Sequence, residues 1–288
     1  MKQIHESKPP GNREVSSELQ FSGQVVRCTE FRVSKSEHLP FSLVSSATER
    51  LLLCPTEKPV LCRKPQGGFT IIGTGEIVFV VDPKQVELIV SKGFATIRTL
   101  SWNTSSTSSL NSIYTAAKGP GQPNIFSPNH RKAEISILSE TVERFVLDPK
   151  PEEEPPVFAA IQVLAISALK GAEIQAYAVI PADASVGLKT LSSEVREHPD
   201  ATWSLKAAAN IAGYSQHHLS RVFRLEFGLG FPEYVDRCRL SATLENYKSQ
   251  SDDLFDLATA AGFKTMATFR DCLKSHLGLV PTDLKRLL

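Results

Sequence analysis

Gln216, His217, Ser220, Arg221 and Arg224 are the side chains of this 288-residue chain best suited to chemistry with another molecule. Leu219, Val222 and Phe223 fall three to four residues apart and make one apolar stripe, which leaves those polar side chains on outward or flanking positions of a helix. Arginine clamps guanine and glutamine clamps adenine, each through two hydrogen bonds in the major groove of a duplex, so the outer face has the vocabulary of base reading. Between Ser215 and Leu225 there are two arginines, two histidines and no acid, which makes the face locally positive. An ordinary amphipathic helix pair carries the same stripe and is the bland alternative.

The elements that must hold this face are written just upstream of it. Ala207, Ala208 and Ala209 belong to a first helix whose small side chains allow a second to come close. Gly213 stands where that helix stops and turns sharply, because glycine takes left-handed backbone values at low cost. Ser215 is placed to cap the next helix, its hydroxyl accepting from an amide that otherwise has no partner in the first turn. Ser204 is the expected cap for the helix from Leu205, and Trp203 reads as a core anchor under the unit rather than as a stacking platform.

The same outline recurs further along. Leu254, Leu257, Ala258, Ala261, Gly262 and Phe263 repeat the spacing of Leu205, Ala208, Ala209, Ala212, Gly213 and Tyr214, and Phe269, Leu273 and Leu277 then take the places of Leu219, Phe223 and Phe227. Two such units in tandem, GYSQHHLSRVFRLEFGLGFPEYVDRCRL and AAGFKTMATFRDCLKSHLGLVPTDLKR, resemble the DNA-binding domain of the AraC/XylS transcription regulators. The resemblance implies an all-α domain over residues 188–288, with a connecting helix from Phe231 to about Lys248 and two recognition helices entering successive major grooves. On that pattern Ser215, Gln216, His217, Ser220, Arg221 and Arg224 contact DNA from the first unit, and Lys264, Thr265, Met266, Thr268, Arg270 and Lys274 from the second. Implied with it are an activator role, double-stranded DNA and RNA polymerase as partners, a homodimer, and a small-molecule effector. An enzymatic activity and a cofactor are not expected.

Several residues depart from the family pattern. Asp271 stands where arginine is usual, Cys272 where an aromatic is usual, and Thr243 and Asn246 where small or aliphatic residues are usual, which bears on the rigidity of the connecting helix. Asp252, Asp253 and Asp256 read as part of the second unit's first helix, and an aspartate facing phosphates repels them unless a nearby cation offsets it. The first unit is therefore expected to do most of the base reading, with the second reading weakly, positioning the domain or meeting a protein. Charge favours caution too. The chain carries net +1, and from Gly187 onward 13 Lys and Arg face 12 Asp and Glu, whereas phosphate affinity usually rests on strongly basic surface. A regulator that works by protein contact with weak DNA binding is accordingly the alternative reading.

A chain of this length with 41% hydrophobic residues can fill two cores. It has no apolar run long enough to span a bilayer, and MKQIHESKPPGNREVSS lacks the apolar centre of a signal peptide, so the cytoplasm is the expected location. Cys28, Cys54, Cys62, Cys238 and Cys272 are scattered without metal-site spacing and read as reduced, mostly buried thiols.

Residues 1–20 read as a flexible arm. Over 41–100, FSLV, RLLLC, PVLC, FTII, EIVFVV, VELIV and FATIRTL alternate with glycine and proline turns, which is the layout of a small barrel or sandwich. This layout resembles the cupin-like effector domain found ahead of many AraC-type DNA-binding domains, and residues 21–181 are read as such a β-barrel with packed helices, giving an α+β chain overall. A pocket would lie between the strands from Leu51 to Val90. His38 and His130 stand apart, so a metal centre of the cupin enzymes is not expected. Gly73–Gly75 reads as a hairpin turn rather than a phosphate loop. Helices are expected over Ser109–Lys118, Arg131–Phe145 and Val157–Leu169, the last with an apolar stripe of Ile161, Leu164 and Ala168 for barrel packing and dimerisation. ADASVG, residues 182–187, reads as the linker.

Overall fold

The computed structural model describes residues 12–21, 24–33, 40–42, 49–55, 59–63, 67–73, 78–80, 87–89, 95–103, 124–125, 141, 144, 150–153, 155–157, 159–160, 163, 184–249 and 251–287. Two compact units result, Met1–Pro65 with Ile71–Ile174, and Gln66–Thr70 with Gln175–Leu288.

The amino-terminal half is built from β1 (Asn12–Phe21), β2 (Gln24–Val33), β3 (Pro40–Ser42), β4 (Glu49–Pro55), β5 (Val60–Arg63), β6 (Phe69–Ile72), β7 (Val78–Val80), β8 (Glu87–Ile89), β9 (Ala95–Asn103) and β10 (Asn124–Ile125). One sheet runs β1-β2-β9-β4-β7-β10 and a second runs β3-β8-β5-β6. Apolar runs that alternate with turn residues are what place β3 to β9, and Val60, Leu61, Cys62, Phe69, Ile71, Ile72, Leu88 and Ile89 are all buried.

The expected arm is corrected from residue 12 on, and its residues 1–11 lie outside the described residues. From Asn12 onward the chain is a strand, paired antiparallel with β2 from Asn12↔Val33 to Phe21↔Gln24. Val15, Leu19 and Phe21 recur at even spacing in the sequence, and a ladder satisfies backbone groups whatever the side chains, so a polar composition concealed it. Thr141, Arg144, residues 155–157, 159–160 and 163 are helical, consistent with two of the expected helices. The apolar stripe of Ile161, Leu164 and Ala168, the helix over 109–118, and Thr74 and Gly75 of the expected hairpin turn lie outside the described residues.

The second unit is helical: α1 (Val186–Glu197), α2 (Leu205–Ala212), α3 (Gln216–Phe227), α4 (Phe231–Asn246), α5 (Leu254–Ala260), α6 (Met266–Leu277) and α7 (Pro281–Leu287). Here the linker is corrected. Ala184 is buried, the Ser185 hydroxyl accepts from the Leu188 amide at 3.3 Å, and α1 starts at Val186, because a serine ahead of an apolar repeat is a cap rather than a spacer. Gly187 lies so close to the Ala212 carbonyl that a side chain there would strike it, which fixes the crossing of α1 and α2. Leu188, Leu191, Ala208, Ala209, Leu219, Phe223 and Phe231 share one core. Phe223 stacks on Phe227 with ring centres 4.0 Å apart and meets Phe231 and Tyr234 in T-shaped contacts.

Thr243 and Asn246 lie within the continuous connecting helix α4. The Thr243 hydroxyl donates to the Arg239 carbonyl at 2.9 Å and the Asn246 amide to the Ala242 carbonyl at 2.9 Å, so each polar group is satisfied on its own helix.

Candidate nucleic-acid interface

Two helix-turn-helix units present α3 and α6 outward, and the first is assembled as its sequence dictates. The Ser204 hydroxyl accepts from the Ala207 amide at 3.1 Å and starts α2. Gly213, at φ +73, ends it, while the Tyr214 amide donates to the Ala209 carbonyl at 2.9 Å. One residue later the Ser215 hydroxyl accepts from the His218 amide at 3.3 Å and starts α3. Two caps and a left-handed glycine thus set the angle between the helices. Tyr214 steadies the turn, its hydroxyl 3.0 Å from that of Ser185 and its ring edge-on to His218. Trp203 packs on the core as an anchor and donates through its indole to the His198 carbonyl at 2.9 Å.

On this scaffold Ser215, Gln216, His217, Ser220, Arg221 and Arg224 are all exposed, and Leu219 and Phe223 are fully buried behind them. The structure therefore leaves the predicted reading residues of the first unit open to solvent. Leu225, 71% exposed, lies on the same helix and was not singled out from sequence.

The second unit has the same frame with different joints. The Thr265 hydroxyl accepts from the Thr268 amide at 3.1 Å, and the Thr268 hydroxyl accepts in return from the Thr265 amide at 3.3 Å, a reciprocal cap. Lys264, Met266, Arg270 and Lys274 are exposed beside them, so the predicted set is again on the surface, with both threonine hydroxyls engaged in holding the helix end. Asp271 is exposed as well, with an oxygen 3.7 Å from Nε of Arg270. Cys272 is buried against α4, its thiol directed at the Asp236 carbonyl, and burial pushes that thiol up to about 12. Cys238 is likewise pushed up to about 12 by burial.

Asp252 and Asp253 are corrected. They precede α5 rather than lie on it. The Asp252 carboxylate accepts from the amides of Lys248 at 2.8 Å and Ser249 at 2.9 Å, and these bonds hold its pKa below the ordinary value. Asp253 caps α5 by accepting from the amides of Phe255 and Asp256. Asparagine and aspartate ahead of a helix are capping residues by nature, so two of the three acids that made the second unit look unsuited to phosphate are parts of its frame. Asp256 remains, exposed on α5.

Arg239 ties the two units together. Its guanidinium donates to the Pro199 carbonyl at 2.9 Å and the Ala201 carbonyl at 3.1 Å, ahead of the first unit. A Cβ on Gly262, in the turn of the second unit at φ +100, would come 2.9 Å from Nε of Arg239 and 2.7 Å from Cα of Asp200. One side chain of α4 therefore sits between the α1–α2 connection and the second turn. Among the described residues there is no group of three His, Cys, Asp or Glu placed to hold a metal ion, and no helix long and apolar enough to cross a membrane.

Comparison with known proteins points to the same end of the chain. A family described as "Helix-turn-helix domain" matches residues 208–287. The chain is 29% identical over 98 residues to a probable transcription factor, PqrA, of Proteus vulgaris, covering 34% of this chain and 79% of that protein. It is 26% identical over 101 residues to the regulatory protein SoxS of Salmonella typhimurium, covering 35% of this chain and 94% of that protein. The crystal structure of ToxT from Vibrio cholerae matches over 91% of this chain and 98% of its own at 15% identity, with a TM-score of 0.37.

Proposed function

The carboxy-terminal domain belongs to the helix-turn-helix domains of the AraC/XylS regulators, and from that premise we propose that the chain is a sequence-specific transcriptional activator. The observation that carries the proposal is the pair of outward helices α3 and α6 on one clamped frame, with Arg221 and Arg224 exposed in front of a buried Leu219 and Phe223. Such a pair suits two successive major grooves on one side of a duplex, roughly 34 Å apart. Gln216, Arg221 and Arg224 read base edges from the first unit, while His217 and Ser220 stand beside them for base or phosphate contact. Lys264, Arg270 and Lys274 supply phosphate contacts from the second unit, with Thr265, Met266 and Thr268 at the end of α6 nearest the groove.

In the amino-terminal half, the two sheets are proposed to close as a cupin-like barrel that takes a small effector and pairs with a second copy of the chain. The effector acts by binding one arrangement of the protein more tightly than another. RNA polymerase is the proposed partner at the promoter, and the cytoplasm the proposed location.

The test is binding of the full chain to promoter fragments across a salt series. Affinity is expected to fall with salt in proportion to the phosphates neutralised, log K dropping by about 0.9 per phosphate for each decade. The near-neutral charge of the domain favours a second reading, a regulator that works chiefly by protein contact. A flat salt response on every fragment would favour it over the first.

A further inference from the structure

Resting on that DNA-reading role, we infer that Asp271 is a specificity-determining residue of the second unit and that it selects cytosine. Helices α3 and α6 each end on a left-handed glycine, Gly228 at φ +74 and Gly278 at φ +66. Counted back from those glycines, Phe227 matches Leu277, Phe223 matches Leu273, Leu219 matches Phe269, and Arg221 matches Asp271. The two outward faces are therefore in register, residue for residue.

Helical geometry then places Asp271. Successive residues turn by about 100° around an α-helix. Phe269, Cys272, Leu273 and Leu277 define the buried side of α6, and the direction opposite their centre falls on Asp271, with Ala267 and Ser275 about 40° to either side of it, all three exposed. Lys274 and Thr268 lie about 60° to either side of that direction and Arg270 nearly at a right angle to it, while Met266, at the helix start, falls on the core side. In a helix laid in a major groove, the residues opposite the core face the base edges and those at the sides face the two backbones. An aspartate at the side would meet phosphates and repel them. Asp271 is not at the side.

At the centre a carboxylate has one suitable base. Cytosine presents its N4 amino donor to the major groove, whereas guanine presents two acceptors and thymine an acceptor and a methyl group. Adenine offers a donor beside an acceptor, so a carboxylate that accepts from one is repelled by the other. Arg270, 3.7 Å away and itself exposed, sets a cation on the flank between that carboxylate and the backbone. The inference accordingly predicts an operator with unlike halves: guanine opposite Arg221 in one, cytosine opposite Asp271 in the other.

Selection of sites from a random duplex pool by the full chain, repeated with Asp271→Ala and Asp271→Asn, tests this. The wild type is expected to enrich two half-sites, one carrying a fixed cytosine. Asp271→Ala should relax that base by about tenfold or more while the Arg221 half-site is unchanged, and Asp271→Asn should shift the preference toward adenine. If Asp271→Ala instead raises affinity for all sequences alike, the carboxylate faces phosphate and the inference is overturned. It is overturned too if the fixed cytosine is absent or survives in Asp271→Ala, although the DNA-reading role then stands. A wild type that enriches no sequence removes that role, and this inference with it.

Discussion

Leu219 and Phe269 are fully buried at matching places in the two helix-turn-helix units, as are Phe223 and Leu273, while Arg221 and Asp271, which face away from them, carry opposite charge. The frames are held differently as well. The first recognition helix is capped by one serine and the second by two threonines in reciprocal contact. Gly213 has open space where a Cβ would go, and Gly262 has Asp200, Pro199 and Arg239. A duplicated fold can thus keep one core and specialise each copy at its joints and its outer face, because packing restricts only the residues that touch the core.

The glycine pair gives the strongest way to break this comparison. Gly262→Ala adds overpacking to left-handed strain and is expected to destabilise on the order of 3 kcal/mol. Gly213→Ala adds strain alone, about 1 kcal/mol. Denaturant midpoints of the full chain measure both, and equal losses would mean that the second turn is no more tightly held than the first.

On the outer face, Arg221→Ala is expected to lower site-specific affinity by ~1 to 3 kcal/mol and relax one base of the first half-site, read by gel shift across base-substituted sites. Arg270→Ala, at the side of its helix, should weaken all sequences alike and reduce the salt slope by about one. A mutant of Arg221 with unchanged base preference takes that residue out of the reading set.

The smallest difference concerns protons. His276 occupies the place held by Glu226 in the first unit, and burial, followed by the nearby Arg237, pulls its pKa below 6.5, with Glu233 opposing. The unfolded chain then binds more protons than the folded one between the lowered value and 6.5. The stability from this group is complete above that range and is lost as pH falls through it. Unfolding midpoints taken from about pH 7 to pH 5 should fall less steeply in His276→Gln than in the wild type.

Much of the helical unit is legible in the chain itself, because small residues, glycines and the apolar stripe record what must touch. Gly213, Gly262, Ser204, Ser215 and Trp203 act in the structure as their types suggest. Polar residues are less telling, since their role depends on which backbone amide lies in reach. Ser185 reads as linker and caps a helix, Asp252 and Asp253 read as a repulsive face and hold the connection after α4 and the start of α5 in turn, and Asn12–Phe21 forms a strand where an arm is expected. Asp271 reads as a defect on residue type alone; its helical angle, set by the buried neighbours, gives it another meaning.

Arg239 has a consequence for the genome the protein scans. With a single guanidinium bonded to the Pro199 and Ala201 carbonyls beside a turn at Gly262 that leaves no room for a side chain, the two heads share one clamp. Inserting one base pair between the half-sites swings one of them by about 35° around the duplex axis. On the proposed DNA-reading role, promoters that it binds are expected to hold one spacing between their half-sites, and a one-base-pair insertion is expected to weaken binding in a gel shift.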